Sequence, residues 1–154
     1  MPINRASADV SRRMRAVPRE DTAAEMGLQN ALRHEHVRFE THVQILGCRP
    51  DVVLRSSRIA VFVDGDFWHG RLLVERGMRA LRRSFRKESQ AFWIAKIARN
   101  AARDRTQTCR LRRHGWCVIR VWEREILKDP VAAALIVAKR AVERRQRLRR
   151  LGDS

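Results

Sequence analysis

No apolar run in this chain approaches the ~18 residues that a membrane helix needs, so a membrane-spanning protein is excluded. The opening Met1-Pro-Ile-Asn-Arg5 lacks the apolar core of a signal peptide, which points to a cytoplasmic location. Cysteine is sparse and odd in number: Cys48, Cys109 and Cys117. Such a set does not build a disulfide scaffold and fits a reducing compartment. There is no internal repeat and no Gly/Ser-rich linker, and 154 residues suit one domain with one core. Acid is scarce. Asp plus Glu total 17 against 34 Lys plus Arg, a net charge of +17. That excess is far above what solubility requires and implies a polyanionic partner, most simply nucleic acid. Arginine dominates the cations, which suits bidentate phosphate contacts. Genome composition alone explains a preference for Arg but not so large an imbalance of sign.

Two stretches carry most of the chemistry: Arg49-Pro-Asp-Val-Val-Leu54 and Ile59-Ala-Val-Phe-Val-Asp-Gly-Asp-Phe-Trp-His69. They read as two strands joined by a turn at Ser56-Ser57-Arg58. A hairpin centred on Ser57 sets Leu54 opposite Ala60, Val52 opposite Phe62 and Asp51 opposite Val63. Asp51 then lies beside the end of the second strand, where Asp64, Asp66 and His69 follow. Carboxylates, backbone carbonyls and an imidazole at one strand end suit a hard divalent cation and an activated water.

The remaining elements follow in order. A basic arm occupies residues 1–20. A helix begins near Thr22, because Thr22-Ala-Ala-Glu25 is a capping box, with Ala24, Leu28, Ala31 and Leu32 as its core stripe. A strand is expected around Val37–Gln44, before the hairpin. Residues 70–90 are rich in Arg and read as a basic loop. A long helix runs from about Glu88 towards Arg113, with Gly115 placed to end it. The strand Trp116–Trp122 follows. Asp129-Pro130 then caps and starts a last helix with the apolar stripe Val131, Leu135, Ala138 and Val142. The arginines of residues 144–154 form a tail expected to fray. The order predicts an α/β (α+β) domain over residues 21–143, with a mixed sheet flanked by helices.

The long helix has two faces. Ile94, Ile97, Ala98 and Ala101 fall at core spacing, whereas Trp93, Lys96, Asn100 and Asp104 share another face. A Trp, a Lys and an Asn on one face can stack on bases, pair with phosphate and read base edges. The alternative is that Trp93 caps the core and the polar residues are solvated. Phe67 and Trp68 are adjacent after a strand end and cannot both point inward. One or both can enter a base step as wedges, or both can pack beneath the basic segment.

Taken together, these motifs resemble the very short patch repair (Vsr) mismatch endonucleases of the restriction-endonuclease-like superfamily. The matching pieces are Ser11-Arg-Arg-Met-Arg-Ala-Val17, Asp21-Thr22 with Glu25, Gly47-Cys-Arg-Pro-Asp51 and Val61-Phe-Val-Asp-Gly-Asp-Phe-Trp-His-Gly70. Phe92-Trp-Ile-Ala-Lys-Ile-Ala-Arg-Asn100 with Arg103-Asp104 comes next, then Gly115-Trp116 and Val121-Trp-Glu123.

The resemblance implies a single restriction-endonuclease-like domain that nicks one strand of double-stranded DNA 5′ to the thymine of a T·G mismatch. Such mismatches arise by deamination of 5-methylcytosine. Asp51 and the backbone carbonyl of Val63 would hold magnesium (Mg2+). His69 would be the general base, Asp64 would assist, and Glu25 would lie nearby. Phe67, Trp68 and Trp93 would enter the duplex from one groove, and Met14, beside Arg15, from the other. Lys96 and Asn100 would reach the mismatched bases, with Asp104 on the same face. The implied protein is a monomer associated with the nucleoid, with a functional link to a cytosine-5 DNA methyltransferase.

Two departures stand out. Position 64 is Asp, where some members carry His. The family's structural zinc is also short of ligands here, because Asp66, Arg71 and Leu73 occupy the early places and only Cys117 remains. No zinc is therefore expected. The competing functions are a nicking or restriction-type endonuclease without mismatch dependence and a non-catalytic DNA-binding protein. The pairing of Asp51 with His69 argues against the latter, since neither residue is needed to bind phosphate.

Overall fold

The computed structural model describes residues 21–65 and 71–152, the side chains of residues 71–74 excepted. The chain forms α1 (Ala23–His34), β1 (Val52–Leu54), a 3-10 turn (Arg55–Ser57), β2 (Ile59–Asp64), α2 (Arg71–Arg83), α3 (Lys87–Arg113), β3 (Cys117–Trp122), α4 (Glu123–Lys128) and α5 (Pro130–Gly152). Among the described residues one sheet of three strands runs in the order β1-β2-β3. β1 and β2 are antiparallel, and β2 and β3 are parallel. A parallel neighbour needs a long crossover, which α2 and α3 supply. The result is the mixed α/β domain that the element order predicts.

α1 begins where the capping box places it. Thr22 Oγ1 accepts from the Glu25 N–H at 3.3 Å. Ala24, Leu28, Ala31 and Leu32 are all buried, against β1, β2 and α5. Burying Leu28 and Leu32 stabilises the fold by about 3–6 kcal/mol at the usual 1.5–3 per large aliphatic side chain. The opposite face of the sheet carries Val53, Ala60, Phe62 and Val118, and packs on Leu111 of α3 and on Cys48. β2 is therefore apolar on both faces.

That two-sided burial explains why the hairpin forms one residue away from the expected register. The pairs are Val52–Val61, Val53–Ala60 and Leu54–Ile59. A strand with two buried faces has no alternation to specify register, so the turn decides it. Arg58 takes a left-handed conformation (φ 48°, ψ 55°), so the chain reverses within Arg55–Arg58.

Four further expectations need correction. Residues 37–44 do not form a strand. They touch the sheet through one bridge, Glu40 to Val53, and His36 and His42 on either side take φ of 55° and 58°. Left-handed residues at both positions prevent a longer ladder. Residues 70–90 are not a loop. Arg, Leu and Glu are good helix formers, and α2 occupies most of the segment, interrupted at Gly77 (φ 79°) and anchored by the buried Leu81.

In α5 the cap is as predicted, with Asp129 Oδ1 accepting from the Ala132 N–H at 3.0 Å. The buried face, however, is Ala133, Ala134, Val137 and Ala141, whereas Val131, Leu135 and Val142 are 52%, 48% and 46% exposed. Close helix packing selects small residues for the contact face, so the largest apolar residues are displaced from it. Finally, residues 144–152 do not fray but continue α5 to Gly152.

Candidate active site

The site is built where β1 begins and β2 ends. Asp51 enters β1 with its N–H donating to the Val61 carbonyl at 2.9 Å. Its Oδ2 accepts from the Val63 N–H at 2.7 Å. This is a short charge-assisted bond, and it orients a half-buried carboxylate towards the end of β2. The shifted register therefore preserves the juxtaposition of Asp51 with Val63 that the sequence predicts.

Asp64 is the last residue of β2 and lies opposite Trp122 of β3. It is buried, and its Oδ1 sits 2.7 Å from Nη1 of Arg120. Arg120 is the hub of this region. Its Nε donates to Thr108 Oγ1 at 3.0 Å, and its Nη2 donates to the Asp104 carbonyl at 3.4 Å. Nη1 also lies 3.6 Å from Asp104 Oδ1, and the guanidinium stacks 4.3 Å from the Phe62 ring centroid. One side chain thus ties β2, β3 and α3 together.

Sequence reading missed Arg120. The available signal was an arginine within the apolar strand Cys-Val-Ile-Arg-Val-Trp, because a cation buried in a strand requires a paired anion. Asp64, at the end of the neighbouring strand, is that anion.

The expected base-reading face of α3 is divided. Trp93 is 5% exposed. Its ring stacks with Phe85 at 6.4 Å, meets Phe92 edge-on at 5.0 Å, and lies 5.8 Å from Lys96 Nζ. Lys96 and Asn100 are half-buried, while Asp104 turns inward to Arg120. Phe92, which sequence reading passed over, is 58% exposed and is the aromatic that this helix presents outward. Glu25 is buried on α1, between Ala24 and the next core turn. Met14, Arg15, Phe67, Trp68 and His69 lie outside the described residues.

Among the described residues no three His, Cys, Asp or Glu side chains gather as a metal-binding cluster. Cys48 is buried, Cys109 exposed and Cys117 half-buried, and all three are free thiols. No described helix is long and apolar enough to cross a membrane.

The family model for DNA mismatch endonuclease Vsr matches residues 5–75, the span that holds Asp51, Val63, Asp64 and the segment to His69. The type II nicking enzyme V.NaeI of Lentzea aerocolonigenes is 36% identical over 139 residues, covering 87% of this chain and 77% of the relative. The type II nicking enzyme V.NmeDIP of Neisseria meningitidis serogroup C is 34% identical over 113 residues, covering 73% and 72%. The DNA mismatch endonuclease Vsr of Escherichia coli K12 is 35% identical over 113 residues, covering 73% and 68%. With a carboxylate anchored at the end of β2, a strongly basic chain and relatives aligned across most of their length, the chain belongs to the Vsr family of DNA endonucleases.

Proposed function

We propose that this endonuclease nicks one strand of duplex DNA 5′ to the thymine of a T·G mismatch by magnesium-dependent phosphodiester hydrolysis. The observation that carries the reading is the Asp51 carboxylate held on the Val63 N–H at 2.7 Å. The donor set fits a hard cation: Asp51 and the backbone carbonyl of Val63 would hold Mg2+. Magnesium commonly takes one or two carboxylates, completing its shell with water and substrate phosphate, so a three-ligand protein cluster is not required. When bound, the ion would polarise the scissile phosphate and acidify water.

The remaining roles belong to this chain's own groups. His69 takes the proton from the attacking water. Asp64, braced by Arg120, assists from the end of β2, and Glu25 supports the site from α1. Met14 and Arg15 of the arm grip the duplex, together with Phe67, Trp68 and the Trp93–Lys96–Asn100 face of α3, which Asp104 braces through Arg120. A mismatched step is poorly stacked, so wedging it open costs less than opening a matched step. In this reading residues 21–143 hold the nuclease domain, the chain works as a monomer, and its substrate links it to a cytosine-5 methyltransferase.

A second reading, nicking without mismatch dependence, draws support from the burial of Trp93, which removes one aromatic from the exposed surface of α3. One assay separates the two. Matched and T·G-mismatched duplexes with the same flanks are incubated with enzyme, with and without magnesium. Mismatch nicking predicts cleavage of the T·G strand alone and only with the ion. Equal cutting of both duplexes rejects mismatch recognition, and cutting in chelator rejects the metal.

A further inference from the structure

α5 starts at the catalytic end of the sheet, since α4 joins it to Trp122, which lies opposite Asp64. It runs back along the sheet, burying Ala133, Ala134, Val137 and Ala141. Arg144 ties it to the far end of the sheet, donating to the Gly115 carbonyl at 2.6 Å and to the Ser57 carbonyl at 3.4 Å. Ser57 and Gly115 mark the opposite end of the sheet, before β2 and β3 begin. Beyond Arg144 the helix continues to Gly152 with only Leu148 half-buried. At ~1.5 Å per residue that is a projection of about 12 Å.

The projection carries Arg145, Arg147, Arg149 and Arg150, all exposed, and no acidic residue. The last acid before it, Glu143, is already paired with Arg140 at 3.2 Å. Arg145 and Arg149 are four residues apart, and Arg147 and Arg150 three, so like charges are stacked along the surface and repel. Favourable interaction of cations with a helix C-terminus accounts for a charge in the last turn. It does not account for a helix continued in exposed arginine for two turns past Arg144.

We propose that this helical extension is a second phosphate-binding strip for duplex DNA, remote from the nicking site. The proposal rests on the chain acting on DNA but not on mismatch recognition. β2 rises ~3.3 Å per residue, so its length and part of the projection separate the strip from Asp64 by about 25 Å. That is about seven base pairs along a duplex at ~3.4 Å each. The strip contacts backbone, so its contribution is independent of sequence and steeply dependent on salt.

The test replaces Arg145, Arg147 and Arg149 together by Gln, and in a second variant by Lys. Gln matches Arg in helix propensity, so α5 should persist, as circular dichroism will report. Binding of a matched duplex of about 30 base pairs and of a hairpin with a stem of about five base pairs, shorter than the separation at ~3.4 Å per pair, is then titrated over salt. Each lost phosphate contact lowers the log–log salt slope by about 0.9. Three lost contacts therefore flatten the fall in affinity between 50 and 200 mM salt by about 40-fold on the long duplex. The hairpin, which cannot span both places, binds the Gln variant like wild type. The Lys variant keeps most of the slope, because charge is what the strip supplies. An unchanged slope with the long duplex overturns the proposal. So does an equal loss on both lengths, which would place these residues at the cleavage surface, or a Lys variant as weak as the Gln variant.

Discussion

Replacing Arg120 by Met tests the central electrostatic feature of the site. The substitution retains an unbranched side chain over Phe62 but removes the cation from Asp64 and Asp104, whose side chains are only 10% and 13% exposed. It also removes the donor to Thr108 Oγ1. Removing one partner of a buried ion pair costs about 3–5 kcal/mol, and the 21% exposure of the Arg120 side chain favours the lower end of that range. A loss of about 3 kcal/mol lowers the melting temperature of a domain of this size by about 6–12 °C. Arg120→Lys keeps the charge but cannot serve three acceptors in one plane, so it falls between.

Thermal melts and urea titrations of wild type, Arg120→Met, Asp64→Asn and the double variant complete a cycle. A direct pair gives a coupling of about 1.5–3 kcal/mol, within the range for residues in one network. If the Met variant melts within about 2 °C of wild type, or if the two substitutions add without coupling, the hub is decorative and the reasoning fails.

Asp51→Ala should abolish nicking while leaving duplex affinity within a few fold, because affinity comes mainly from phosphate contacts. Wild-type rates in a nicking assay would sink the assignment. His69→Ala should lower the rate by about a hundred- to ten-thousand-fold, and His69→Gln should not restore it, since an amide cannot take the proton. Recovery with Gln would reduce His69 to a structural residue. Elemental analysis should find less than about one zinc per chain, and the circular dichroism spectrum should survive a chelator, because Cys117 alone of the family's zinc places is kept in this sequence and one ligand builds no tetrahedral site. Stoichiometric zinc with unfolding on chelation would show otherwise. Trp93→Ala should cost about 3–5 kcal/mol of stability, as for any buried indole. Phe92→Ala, at an exposed ring, should leave the melt unchanged and slow nicking of a T·G duplex less than Trp93→Ala does, and a larger loss of nicking in the Phe92 variant would move the wedge role from Trp93 to Phe92.

The legible parts of the chain are those specified by local chemistry. Thr22 and Asp129 announce helix starts because a short oxygen-bearing side chain satisfies an otherwise unpaired N–H. Gly115, at φ 82°, announces a helix end because the left-handed conformation is easy for glycine. Asp51 was legible as well, since its place beside Val63 survives a one-residue change of register. What was not legible depended on partners distant in sequence. Nothing near Val131 or Leu135 says that α5 will dock through Ala133, Ala134 and Val137. Trp93 could be assigned to core or surface only after Phe85 had folded over it. Residues 37–44 have the composition of a strand, but left-handed turns at His36 and His42 limit them to a single bridge.

Arg120 is instructive because it turns a local oddity into a relation between elements. An aspartate at position 64 places a second carboxylate one residue beyond the N–H that holds Asp51. Like charges near one another repel, a cost that a nearby cation offsets. Arg120 supplies that cation from the adjacent parallel strand, two residues before the partner of Asp64. The guanidinium has more N–H groups than Asp64 can satisfy, and α3 provides Thr108 and Asp104 for the others. The same contact that balances charge at the end of β2 therefore also sets the rotation of α3 about its axis. That rotation determines which of Phe92, Trp93, Lys96 and Asn100 face outward. Asp64 thus acts on α3 through Arg120, so if the proposed function holds, a substitution at either residue should alter how the duplex is gripped as well as how the phosphate is cut.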